Sequence, residues 1–536
     1  MQKPHGALEG ILHKRRFRVR LFFEGILIGL ATGSIVVLFR YILQQSSLWL
    51  ERLYAYLGSH EYWWTLLWIV VLSVIALLLD KIVKLEPMIS GSGIPQVKGA
   101  VMRQLNLKWI SVLWWKFIGG ILAIGSGMSL GREGPSIQLG AAVGQGVNRL
   151  LGGFKIEERI LLTSGASAGL AAAFNAPLAG VVFSLEELHK NFSPPILLSA
   201  MAASLTADYV SRHFYGIRPI FDFHTLPVLP MRLFGLLLLL GLVTGLLGVI
   251  FNWALVKSLQ IYERQKIVPA QFRMLIPLLI TVPVGMWVPQ VLGGGQGLID
   301  GLQNNQYMLT MLLLLVIVKF GLTLASYGSG APGGIFMPML VIGALTGGVF
   351  GQLVVNFWQV EPLFGSNFVV FAMAAFFTAI VKAPITGSIL ITEMTGSFEH
   401  LPALITVSMT AYIIADLLKS KPIYDTLLHR LLARKSRSPE ELFRNENTVL
   451  EAVVTLGSQL EGKMIKDIKW PRNCLLINIK RGEDHIIPSG DTRIIAGDYL
   501  NILTSDEQAA AIKPNLLQMA GIVITDGDNH EYEPQY

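Results

Sequence analysis

Between Leu21 and Leu418 one apolar segment follows another with little charge inside them, and the stretch from Leu233 to Val256 holds none. About 20 such residues in a helix cross the hydrocarbon of a bilayer, where every backbone N–H and C=O must be satisfied by protein. That requirement leaves membrane helices as the fold class. A single soluble core is excluded by the same reading, because 52% of the 536 residues are hydrophobic and 15% charged, against roughly 25% charged in soluble domains.

Composition divides the chain. Residues 1–20 are a basic start, with Lys14, Arg15, Arg16, Arg18 and Arg20 ahead of the first apolar segment and no small-residue cleavage site behind it, so the segment is expected to stay as a helix. Residues 21–435 form the membrane region and 436–447 a linker. Residues 448–518 are a small soluble domain with short strands such as Cys474 to Ile479 and Tyr499 to Leu503, and 519–536 a loose acidic tail. Positive charge favours the cytoplasmic side, so the basic flanks, the second running from Lys419 to Arg437, place both termini in the cytoplasm. The flanks also explain the net charge of +7 without nucleic acid as a partner. Cys474 is the single cysteine, which excludes an internal disulfide and leaves no thiol cluster for a metal; no cofactor is expected.

The membrane region repeats itself. Gly131-Arg132-Glu133-Gly134-Pro135, with Gly140 beyond it, matches Gly334-Ile335-Phe336-Met337-Pro338 with Gly343 beyond it. Ala176-Pro177 with Glu186 matches Ala383-Pro384 with Glu393, and both pairs lie roughly 205 residues apart. Two halves interrupted by Gly and Pro at matching places point to a transporter whose site lies near the membrane midplane.

A helix that starts inside the membrane offers free N–H groups and the positive end of its dipole, which hold an anion without a buried cation. Gly91-Ser92-Gly93-Ile94-Pro95 suits such a start, with flexible glycines, a hydroxyl and a proline in the first turn. So does Gly334 to Pro338, with the Ile335 and Phe336 N–H groups as donors. Read singly, each is equally a Gly-rich connector. Glu133 is a carboxylate at membrane depth, costly unless it works or is paired. It is either a tethered anion that occupies such a site and leaves on protonation, or one half of a loop pair with Arg132. Glu186 and Glu187 end an apolar run on what should be one helix, about 100° apart, so they divide labour. Glu186 is structural by analogy with Glu393, and Glu187 either functions or caps a solvated end. Tyr424 either donates to an anion or anchors at the interface.

At these residues the chain resembles the CLC family of chloride channels and chloride/proton antiporters. Its signatures Gly-Ser-Gly-Ile-Pro, Gly-Arg/Lys-Glu-Gly-Pro and Gly-x-Phe-x-Pro stand at 91–95, 131–135 and 334–338, and the likeness covers about residues 20 to 430. The resemblance implies an all-α polytopic homodimer of inverted repeats of tilted, broken helices, with one anion pathway per subunit. It implies that Ser92, Tyr424 and the Ile335 and Phe336 amides bind chloride, that Glu133 gates and takes a proton from outside, and that Glu187 is the inner proton glutamate. Family channels commonly lack that last acid, so antiport is expected and a passive channel is the alternative. Ser92 stands where the nitrate-selective plant pattern has proline, which favours chloride. Gln96 and Lys98 depart from some relatives, which carry acids there.

The soluble domain, through Gly457 to Lys463, Ile487-Pro488 and Gly497-Asp498-Tyr499-Leu500, is similar to the RCK/TrkA C-terminal type, a small α+β cytosolic module. Such domains dimerise and sometimes bind small ligands, including cyclic dinucleotides. A membrane enzyme using Glu133 and Glu187 as an acid/base pair would need further polar groups, and no nucleophile or metal cluster stands near them in sequence, so no enzyme activity is expected.

Overall fold

The computed structural model describes residues 5–435 and 447–521, apart from positions 154, 191, 218, 222, 224–225, 267, 304–306, 359 and 483. Nearly all of the expected linker and the acidic tail beyond 521 lie outside the described residues. The chain forms two compact units, Met1–His429 and Arg430–Tyr536.

The first half of the larger unit contains α1 (His5–Ser59), α2 (Tyr62–Leu85), α3 (Ile94–Val101), α4 (Trp109–Gly125), α5 (Glu133–Leu150), α6 (Lys155–Phe174), α7 (Pro177–Phe183) and α8 (Pro194–Tyr215). The second half contains α9 (Phe234–Arg264), α10 (Leu275–Trp287), α11 (Gln296–Gln303), α12 (Leu309–Gly328), α13 (Phe336–Trp358), α14 (Asn367–Val381), α15 (Pro384–Thr395) and α16 (Leu401–Leu417), with α17 (Ile423–Lys435) following. Eight helices among the described residues are long and apolar enough to cross a membrane. The basic start is not separate from the first of them. Helix α1 runs unbroken from His5, because Lys, Arg and Leu are strong helix formers and no proline intervenes.

Helix by helix the halves correspond, and their packing does too. α5 lies on α6 as α13 lies on α14, α1 on α8 as α9 on α16, and α4 on α5 as α12 on α13. α5 and α14 are buried along almost their whole length, whereas α2 turns Trp63, Leu66, Leu67 and Val70 outward, an apolar face that only lipid or another apolar surface can cover.

Three reciprocal contacts join the repeats. Glu186 accepts from the Ile385 and Thr386 N–H groups (3.3 and 2.8 Å) and the Thr386 hydroxyl (2.6 Å) at the start of α15. Glu393 in turn accepts from the Leu178 and Ala179 N–H groups (3.1 and 2.7 Å) at the start of α7. Gly131 and Gly334 exchange backbone bonds of 2.6 and 2.8 Å in an antiparallel bridge. Each exchange is what a two-fold axis between inverted halves produces. Within each half, a fully buried lysine ties down the loop before the short third helix. Lys116 donates to the Ile89 and Gly91 carbonyls (2.7 and 2.6 Å), and Lys319 to those of Val291 and Gly293 (2.7 and 2.9 Å).

The single helix expected through Glu187 is not what forms. α7 stops at Phe183 and continues as a π-helical turn, Ser184–His189. The wider turn resets the angle between neighbours, leaving Glu186 on α15 while Glu187 is buried.

The smaller unit is an antiparallel sheet of β1 (Asn447–Val453), β2 (Cys474–Arg481), β3 (Asp484–Ile486) and β4 (Tyr499–Ser505), in the order β1-β4-β2-β3. Its inward residues, among them Ala452, Ile479, Leu500 and Ile502, form a core with Ile512 and Leu516 of α18 (Asp506–Met519). Asp498 is fully buried and takes two bonds from the Arg481 guanidinium, at 2.7 and 2.9 Å. Burial alone would raise its carboxyl, but Arg481 and the Ile495 N–H outweigh that and hold it below its usual value.

Two outcomes follow. Glu393→Leu leaves two N–H groups at a membrane-depth helix start unpaired, at about 1–3 kcal/mol each, and lowers the thermal midpoint of the detergent-solubilised protein; Glu393→Gln, which keeps an acceptor, lowers it less. Because the Asp498 value is depressed on folding, its contribution is present above the unfolded carboxylate value near 4 and is lost as the pH falls through the folded one. Calorimetry of the full chain should show the tail transition moving down below about pH 4, and Asp498→Asn should remove that acid dependence.

Candidate functional site

The three signature segments meet at one junction. Gly91 and Gly93 hold φ of 66° and 89°, a left-handed backbone that lets the chain turn into α3, and Ser92 between them is buried with its hydroxyl accepting from the Ile94 N–H at 3.3 Å. The Gly333 N–H donates to the Gly91 carbonyl at 3.0 Å, and the Gly131 to Gly334 bridge brings the starts of α5 and α13 alongside. Gly134 lies so close that a Cβ there would stand 2.7 Å from the Ser92 carbonyl, which explains the residue at that place.

Glu133 is the first residue of α5 and is buried. Its carboxylate accepts from the Met337 N–H at 3.3 Å, in the first turn of α13. A negative group therefore sits on a helix N-terminus supplied by the other repeat, as a tethered anion would. Arg132 pairs with it as well, at the longer distance of 3.9 Å, but Glu133 stands in a buried helix start and not in a loop. Ile335 and Phe336 stand at the same helix start, fully buried, and the Phe336 ring packs among Phe174, Phe183 and Phe377.

Tyr424 is fully buried at the start of α17, so the interface-anchor reading does not hold, and its hydroxyl has no partner among the described residues. It stands within electrostatic range of Glu133, Glu187 and Tyr327, and the buried Tyr327 hydroxyl lies against Ser92. An unpaired hydroxyl in a dry interior calls for an acceptor. Ser92, Tyr327 and Tyr424 thus lie in one buried neighbourhood with Glu133 at the N-terminus of α13.

A cavity of about 380 Å³ reaches Glu133, lined by Arg40, Arg132, Tyr215, Gln290 and the Gly293 to Gly297 loop among others. Arg40 is held over the Tyr215 ring at 3.9 Å and bonds to Asn175 at 2.7 Å. Its charged lining is mixed: the guanidinium groups of Arg40 and Arg132 with the carboxylates of Glu51, Glu133 and Asp300. Arg40 escaped the sequence reading, although a lone cation within an apolar helix is a signal of function. Lys116 and Lys319, at matching places in the repeat, carry the same signal.

Glu187 is buried away from that cavity and is no solvated helix end. It accepts from Lys98 Nζ at 2.7 Å. Lys98, flagged as a departure, is itself fully buried and also bonds Asp425.

The chain matches the family model described as voltage gated chloride channel over residues 75–416 and the TrkA-C domain over residues 449–517. It is 34% identical to the H(+)/Cl(-) exchange transporter ClcA of Vibrio cholerae serotype O1 (strain M66-2), over 82% of this chain and 95% of that one. The exchange transporter of the same name from Yersinia pestis bv. Antiqua (strain Angola) is 35% identical, over 68% and 78%. A slow cyanobacterial Cl-/H+ antiporter of known crystal structure superposes with a TM-score of 0.74 at 30% identity, covering 78% of this chain and 99% of that one.

Tyr424→Phe removes an unpartnered hydroxyl, so it should leave the melting temperature unchanged and weaken chloride binding by calorimetry by about tenfold to a hundredfold, the value of one hydrogen bond to a charged group. Unchanged affinity would remove Tyr424 from the anion site.

Proposed function

The chain belongs to the voltage gated chloride channel, or CLC, family and carries a TrkA-C domain behind its membrane region, and from that premise we propose that it exchanges chloride for protons across the membrane. One observation carries the proposal: the Glu133 carboxylate lies on the N-terminus of α13, where a chloride ion would gain from the same N–H groups and dipole. Ionised, Glu133 competes with chloride for that place. Protonated, it loses the charge that makes such hydrogen bonds roughly twice as strong as neutral ones, and it yields. Every exchange at the gate then moves one proton against chloride. Ser92 and Tyr424 hold the central ion by their hydroxyls, with the Ile335 and Phe336 amides alongside.

Glu187 serves as the inner proton station. It is buried, does not line the cavity that reaches Glu133, and stands within electrostatic range of Tyr424. The basic flanks put its side, with both termini, in the cytoplasm. Protons thus reach Glu133 from outside through the Arg40 and Arg132 mouth, and Glu187 from within. The same proposal includes a homodimer with one pathway per subunit, and a small ligand such as a cyclic dinucleotide at the TrkA-C domain. The relatives' names, exchange transporter and antiporter, support coupled rather than passive flow.

The test is proton movement in sealed liposomes. A chloride gradient across vesicles holding the purified protein should drive protons uphill, and Glu133→Gln should abolish the proton flux while chloride flux persists. Chloride running down with no uphill proton flux would leave the passive channel in its place.

A further inference from the structure

Three lysines among the described residues are wholly buried in the membrane unit: Lys98, Lys116 and Lys319. Lys116 and Lys319 donate to backbone carbonyls, groups that cannot take up a proton, and they tie loops in place. Lys98 differs. Its ammonium sits between two carboxylates, Glu187 at 2.7 Å and Asp425. One carboxylate is enough to balance a buried ammonium, and a second adds desolvation of its own. That second one leads to water: the Asp425 side chain is 22% exposed, against 4% for Glu187 and none for Lys98, and its other oxygen takes the half-exposed Lys190 at 2.8 Å.

The groups thus form a line from solvent inward: Lys190 at the rim, Asp425, Lys98, then Glu187, with Tyr424 beyond. α3 fixes this line to the anion site, because its first turn follows Ser92 and its last turn carries Lys98. We propose that Asp425 and Lys98 are the proton entrance to Glu187, a carboxylate–ammonium–carboxylate relay. This rests on the reading of the protein as a chloride/proton exchanger. In the relay, Asp425 takes a proton from cytoplasmic water. A Lys98 N–H bond breaks as the Glu187 O–H bond forms, leaving a neutral amine. The amine lone pair then takes the proton from the Asp425 acid, its O–H bond breaking as the Lys98 N–H bond is restored. Charge is conserved at each transfer, and Lys190 holds the rim carboxylate in place between transfers.

The discriminating change is Lys98→Arg. A guanidinium keeps the charge and the donors but does not give up its proton in a protein. In chloride-loaded liposomes the variant should lower proton flux by about tenfold or more while chloride flux stays within about twofold, which raises the chloride-to-proton ratio. Asp425→Asn, at a partly exposed position, should raise the ratio likewise with the fold undisturbed. A fixed counter-ion would behave differently, since arginine would serve as well as lysine. An unchanged ratio in either variant overturns the relay, and so does a parallel loss of both fluxes in both. Wild-type protein that moves chloride without uphill protons overturns the exchanger itself, an outcome separate from coupled wild type with coupled variants.

Discussion

Helices that break inside a membrane leave polar ends with no water to meet them, and the contacts that hold this protein together are answers to that problem. The starts of α7 and α15 are closed by carboxylates from the opposite half, and the loops before α3 and α11 by buried lysines. The start of α13 receives Glu133. The first four ties use groups that stay put. The last uses a carboxylate too, and in the exchange proposed above that same capping device serves as the gate.

The two halves are alike in path and unlike in charge. At the offset that pairs Gly131 with Gly334, Glu133 corresponds to Phe336, whose ring closes an aromatic cluster. At the offset that pairs Ile89 with Val291, Lys98 corresponds to Asp300, which lines the cavity reaching Glu133. The cavity at one end holds Glu133 with Glu51, Asp300 and two guanidinium groups, and the other end an ammonium between two acids.

Much of this was legible in the sequence because it lies in short, local patterns. The signatures marked the helix starts, and the matched spacing of Ala176-Pro177 and Glu186 with Ala383-Pro384 and Glu393 marked the repeat. The strands at Cys474 and Tyr499 showed through alternation and turn glycines. What stayed hidden depends on packing across long separations. Nothing near Glu187 shows that Lys98 lies 2.7 Å away, 89 positions earlier, and the π-helical turn that parts Glu186 from Glu187 has no composition of its own. The Gly131 to Gly334 bridge could not be read because hydrogen bonds between glycine backbones leave no side-chain trace. The charge step at Leu21 says nothing of where helix α1 begins, because charge bears on a membrane boundary and not on a helix end.

The exchanged caps bear on how the chain is made. Leu178 and Glu393 are 215 positions apart, and at synthesis rates of about 5–20 residues per second the start of α7 waits roughly ten to forty seconds for its acceptor. Through that interval the Leu178 and Ala179 N–H groups lack the acceptor that Glu393 later supplies. A chain that stops short of Glu393 never completes that exchange, however faithfully its first half is made.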